Sequence, residues 1–177
     1  MDLLPYFDLT WIGEGRDYNR MPDHWLIEVS GIPFGLPGQM LEGGGNPWRG
    51  MVYGITNRAG YQNAVPFYIW EFWDKYEIRK KEMIGYWDKN NPVSIDNEMV
   101  KATVYKGEKD MIIAIAGWGD QDQNCSINID WNKIGWSTSA YKYYMPAIEQ
   151  FQDEKTLDAL TTMTIPLKKG FLIIVSK

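Results

Sequence analysis

With His24 as its only histidine and Cys125 as its only cysteine, this 177-residue chain holds neither the ligands of a zinc site nor a convincing Ser-His or Cys-His pair. Any chemistry must therefore run on carboxylates. Glu14 and Asp17 share one loop, in the run Gly13-Glu14-Gly15-Arg16-Asp17-Tyr18. Glu28 sits among apolar residues between Trp25 and Val29, where burial would raise its pKa as a general acid requires, unless it takes the solvent side of a helix. Cys125 lies between Asn124 and Ser126 with no cation beside it to favour a thiolate, and reads as a plain strand residue. Gly43 to Gly45 invites a phosphate-loop reading, but no Gly-Lys-Ser/Thr follows and no helix is expected to start there. Nine Trp and eleven Tyr, several beside Gly, Asn or Asp, offer flat apolar faces with polar rims that suit sugar rings as well as a core.

The loop bearing Glu14 ends a short apolar run, Phe7 to Ile12, that fits a buried parallel strand. Pro22 and Asp23 then offer a helix start, and Trp25, Leu26 and Val29 share one face, so a helix is expected over 22–30; strict alternation of Trp25, Ile27 and Val29 fits a strand as the alternative. Glycines and prolines break the chain repeatedly from Gly31 to Pro47. A second strand is expected from Met51 to Ile55. A second helix is expected from Pro66 to Lys81, with proline in its first turn and Arg79, Lys80 and Lys81 in its last. The first 80 or so residues thus read β, α, β, α, the last two β/α units of a (β/α)8 barrel; a closed barrel needs eight strands and about 250 residues.

From about Met83 the texture changes to short strands separated by turns: Val100 to Tyr105, Met111 to Ala116, Ser126 to Asp130, Ala140 to Met145, Thr162 to Pro166 and Phe171 to Val175. These predict an antiparallel β-sandwich. The expected division is a barrel part over 1–86, a linker over 87–97 around Asp88-Lys89-Asn90-Asn91-Pro92, and the sandwich over 98–177. The fold class is therefore α/β plus all-β.

Composition narrows the function classes. A 45% hydrophobic share belongs to a folded protein, and 18 basic against 23 acidic residues gives no basic face for a phosphate backbone, so nucleic acid is excluded as a partner. No run of about 18 apolar residues predicts a membrane span, and MDLLPYFDLT lacks the positive and apolar regions of a secretory signal.

The runs PYFDLTWIGEGRDYN, PDHWLIEVSGIPFGLPGQML, GGGNPWRGMVYGITNR and MIGYWDKNNPV, continued by VKATVYKG, NIDWNKIGW and MPAIEQFQ, resemble the C-terminal portion of bacterial proteins related to family 123 glycoside hydrolases. The resemblance covers nearly the whole chain. It implies a catalytic (β/α)8 barrel followed by a β-sandwich, with this chain starting near barrel strand 7, and relatives that are secreted or periplasmic. It also implies action on N-acetylgalactosamine linkages, with the substrate's own acetamido group as nucleophile and an adjacent Asp-Glu pair assisting. No such dipeptide precedes the sandwich here. The nearest counterpart, Asp153-Glu154, falls in the β-domain and reads as a solvated turn.

Hydrolysis of a glycosidic bond ordinarily uses two carboxylates roughly 5 to 9.5 Å apart, and barrel sites gather at the C-terminal ends of strands. On that basis Glu14 and Asp17 are the candidate catalytic residues, and Tyr18, Asn57 and Arg58 the candidate substrate contacts. Trp48 and Arg49, before the second expected strand, fall on the stability face and are expected to be structural, as a stacked pair. Trp118, Trp131 and Trp136 are expected to seal the sandwich against the barrel part, or else to form a sugar platform. The leading expectation is the C-terminal region of a glycoside hydrolase, not catalytically complete alone, with carbohydrate as its partner and no cofactor. The alternative is a non-catalytic carbohydrate-binding or scaffolding module. An open parallel edge would make the chain a homo-oligomer.

Overall fold

In the computed structural model, which describes residues 6–8, 16–34, 38, 46–56, 65–136 and 140–177, strand β4 (Asp110–Gly117) lies at the middle of the molecule. Its run Met111-Ile112-Ile113-Ala114-Ile115-Ala116 is apolar at every position, the pattern of a strand covered on both faces. Strand β3 (Val100–Lys106) pairs with one side, placing Val104 opposite Ile113. Strand β9 (Gly170–Ser176) pairs with the other, placing Ile173 opposite Ile113. Strand β1 (Glu82–Ile84) extends this sheet beyond β3, while β6 (Lys142–Met145) and β7 (Lys155–Leu157) extend it beyond β9, giving six strands in the order β1-β3-β4-β9-β6-β7. A second sheet holds β2 (Val93–Ile95), β5 (Gln123–Ile129) and β8 (Thr162–Ile165) in the order β2-β5-β8.

The two sheets face each other across one core. Val104, Met111, Ile113, Ile115, Ile173 and Val175 of the larger sheet meet Cys125, Ile127 and Ile165 of the smaller. The alternate residues, Tyr105, Ile112, Ala114, Leu172 and Ile174, point away from that core onto Met51, Ile69 and Phe72. This is the period-two logic of strands used twice, once for each side of the large sheet. All six expected strands of the sandwich are present. Three short ones, β1, β2 and β7, are additional, and β2 falls within the 87–97 segment.

That segment is held rather than loose. The Asn91 side-chain amide donates to the carbonyls of Ile84 (3.2 Å), Gly85 (3.1 Å) and Ala102 (3.0 Å), and its oxygen accepts from the Val93 N–H at 2.8 Å.

Helices cover the outer face of the large sheet. Helix α1 (Pro22–His24) continues without a break into a π-helical turn, Trp25–Val29, matching the helix expected over 22–30. The turn is closed by the Ser30 N–H donating to the Trp25 carbonyl at 2.8 Å and by the Ser30 hydroxyl donating to that of Leu26 at 2.5 Å. Helix α3 (Phe67–Lys75) buries Ile69 and Phe72 and ends earlier than the expected 66–81, giving way to a 3-10 turn, Ile78–Lys80.

The strand expected over Met51 to Ile55 is not there. Helix α2 (Pro47–Val52) occupies the first part, followed by a turn at Tyr53 and Gly54. The Asn46 side chain caps the helix by accepting from the Arg49 N–H at 3.0 Å, Pro47 supplies a fixed φ in the first turn, and Gly54 takes φ +71° after its end. Burial of Met51, Val52 and Tyr53 against the sheet and the α1 segment then outweighs the β preference of the run. Residues 9–12 of the other expected strand lie outside the described residues; Phe7 is exposed and not in a strand. Every strand pairing among the described residues is antiparallel, so the two expected β/α units are not seen among them. Among the described residues no helix is long and apolar enough to cross a membrane.

Candidate functional site

Helix α2 plants one cation inside a box of rings. Arg49 is 1% exposed, with its guanidinium carbon 5.2 Å from the centre of the Trp118 ring and 6.0 Å from that of Trp25. Its Nε–H donates to the Gly117 carbonyl at 3.0 Å and its Nη1–H to the Tyr18 carbonyl at 2.5 Å. Burial pulls the guanidinium down to about 10, against the opposing pull of Tyr53 and Asp17, so it stays charged at neutral pH. A buried charge is tolerated because carbonyl dipoles and ring faces replace its water.

The box itself is a chain of contacts between segments distant in sequence. Trp25 stacks on Tyr53 with centroids 6.0 Å apart and meets Trp118 edge-on at 6.1 Å. Tyr53 in turn stacks on Trp87 at 5.9 Å. The Tyr53 hydroxyl donates to the Pro22 carbonyl at 2.8 Å, and burial pushes its pKa far above the usual phenol value. The indole N–H groups of Trp25 and Trp118 are buried and have no hydrogen-bond partner among the described residues.

On this platform sits the loop that carries the described candidates. Asp17 is exposed; its carboxylate accepts from the Asn19 N–H at 2.9 Å and its carbonyl from the Arg20 N–H at 3.2 Å, a side-chain-closed turn. Tyr18 is half-buried, its ring 5.3 Å from that of Trp25 and its carbonyl fixed by Arg49. The structure therefore brings Asp17 and Tyr18 together on one anchored turn. Glu14, Asn57, Arg58 and the Gly43 to Gly45 run lie outside the described residues.

The remaining sequence candidates take ordinary roles. Glu28 lies on the solvent side of its helix, 44% exposed at the side chain, and pairs with Arg16 at 2.6 Å. Cys125 is buried in β5, and desolvation pushes its thiol up, away from thiolate chemistry. Asp153 and Glu154 are exposed just ahead of β7. No group of three His, Cys, Asp or Glu among the described residues could hold a metal ion.

The aromatic expectations divide. Arg49 is structural, but its stacking partners are Trp25 and Trp118, not Trp48. Trp48 instead donates to the Phe151 carbonyl at 3.2 Å, with the Lys169 ammonium 5.9 Å from its ring. Trp118, 4% exposed, seals the large sheet against the α1 and α2 segments and is not available as a sugar platform. Trp131 is covered face to face by Tyr141, with centroids 3.6 Å apart and ring planes 2° from parallel, and with Trp136 it packs on the inner core. Sequence reasoning missed the roles of Trp25 and Tyr53; Tyr53 follows the Arg49 run closely, but nothing in the sequence ties Trp25 to it.

A family model described as "Glycoside hydrolase 123, C-terminal domain" matches residues 65–176, and one described as "Glycoside hydrolase 123, TIM-barrel domain" matches residues 1–60. No curated protein and no solved structure matches the chain.

Proposed function

The chain belongs to glycoside hydrolase family 123, and from that premise we propose that it contributes one wall of a sugar-binding cleft together with an accessory β-sandwich. Glu14 and Asp17 are the carboxylates of that wall, and Tyr18, Asn57 and Arg58 contact the sugar's ring and hydroxyls. The observation that carries this reading is the attachment of the Asp17-Tyr18 turn, within the segment matching the barrel family, to the sandwich through buried Arg49. A loop fixed from beneath at its carbonyl presents its side chains outward at little further cost in ordering, which is what a binding wall requires.

The site is not catalytically complete by itself. The one Asp-Glu dipeptide, Asp153-Glu154, lies in the sandwich, far along the chain from Glu14 and Asp17. The test is incubation of the full chain with chromogenic N-acetylhexosaminides and with plain polysaccharides. Saccharide binding without turnover is expected, weakened about tenfold by Asp17→Asn or Arg58→Ala, the scale of one charged hydrogen bond. Turnover abolished by Glu14→Gln would instead establish a complete active site. Absence of saccharide binding in any form would sink the reading.

A further inference from the structure

The core between the two sheets is closed on one side and open on the other. On the closed side β2 packs on β3, while on the open side stand the outer edges of β7 and β8, unpaired among the described residues. Between those edges lies a cleft of about 500 Å³. Its floor is apolar, formed by Leu157, Met163 and Phe171, which are partly buried residues at the margin of the inner core. Its rim carries the exposed residues Asp153, Lys155 and Thr162, while the Glu154 carboxylate is turned to the Tyr144 hydroxyl on the other face of the sheet. Thr162 and Met163 also line a second, more polar cleft of about 440 Å³ with Asn124 and Ser126, so the hydrogen-bonding surface continues across β8.

We propose that this cleft holds a saccharide, at a site separate from the Asp17 loop. A pyranose presents carbon-bound hydrogens on its face and hydroxyl donors around its edge. The apolar floor matches the first, and the Asp153 carboxylate, Lys155 ammonium and Thr162 hydroxyl match the second through hydrogen bonds, those to Asp153 and Lys155 charge-assisted. The volume is that of an ordinary small-ligand pocket. The rival occupant, an extended peptide added to a sheet edge, is disfavoured because β7 and β8 run only three and four residues. Strand addition draws its affinity from a row of main-chain hydrogen bonds that edges this short do not offer.

The inference rests on the carbohydrate reading above, and its test separates the two. Amide NMR spectra of the full chain are titrated with N-acetylhexosamines, a neutral disaccharide and an extended hexapeptide. Saturable saccharide-induced shifts at Leu157, Thr162, Met163 and Phe171 are expected. In the double variant Asp153→Asn with Lys155→Met, apparent affinity should fall about tenfold or more while the remaining spectrum stays folded. Shifts confined to residues 16–56 would overturn this site and leave the first reading standing, and no shifts at all would overturn both. Cleft shifts that the double variant leaves unchanged, or that only the hexapeptide produces, would also overturn the proposal.

Discussion

The sandwich and the helical layer on its outer face are built by opposite means. In the sandwich, β3, β4 and β9 lock by ladder hydrogen bonds over seven paired positions in each pairing, and their side chains alternate between two cores. In the layer, α1 and α2 are too short to stand alone and are held by single side chains reaching main-chain carbonyls. Thr103 donates to the carbonyl of Val52 at 2.6 Å, Tyr105 to that of Met51 at 2.5 Å, and Asn46 to that of Lys168 at 2.9 Å. Arg49 adds the link to Gly117. One region carries its own stability. The other borrows it, and the borrowed region bears the candidate wall.

The largest test of this contrast is Ile113→Ala. Truncating a fully buried side chain at the centre of β4 should cost about 4 kcal/mol and lower the thermal midpoint of the whole chain. Both regions should melt in one transition, and a helical layer that kept its own unchanged midpoint would break the comparison. Arg49→Met comes next, at about 3 kcal/mol, because the Gly117 and Tyr18 carbonyls lose a charged donor. Hydrogen exchange should quicken across 22–29 and 47–52 while β4 keeps its protection, and uniform quickening would count against a borrowed layer.

Alkaline pH sharpens the contrast further. Burial raises the pKa of the Tyr53 and Tyr105 phenols, so the folded state keeps protons that the unfolded chain releases above about pH 10. Their stabilising effect is fully present below that pH and is lost as pH rises, with a slope of about 1.4 kcal/mol per pH unit for each phenol. Urea unfolding between pH 9 and 12 should show the decline, and Tyr53→Phe should make it shallower. The smallest effect is Thr103→Val, which removes one donor to the Val52 carbonyl at about 1 kcal/mol. It should shift the urea midpoint slightly and leave the m-value unchanged.

The same contrast explains what was legible in the sequence. Strands β3, β4 and β9 announce themselves because their apolar runs are set by burial, which periodicity reports directly. Strands β1 and β7, Glu82–Ile84 and Lys155–Leu157, are mostly exposed and three residues long, too brief to register a period. Helix α2 was hidden by Met-Val-Tyr-Gly-Ile-Thr, whose residue types favour strands, although its Asn46 cap and Pro47 were in plain view. At the candidate site, Asp17 and Tyr18 were singled out from loop position alone. The Trp25, Tyr53 and Trp118 box was not, because its members come from three separate segments and only the fold makes them neighbours.

Asn91 carries one further consequence. A single carboxamide ties the end of β1, the start of β2 and the middle of β3 into one knot at the entrance to the sandwich. A junction of that kind does not swivel. The two sheets should therefore keep a fixed mutual orientation at this corner when a ligand arrives, so that any adjustment falls to loops and side chains instead of to rotation of one sheet against the other.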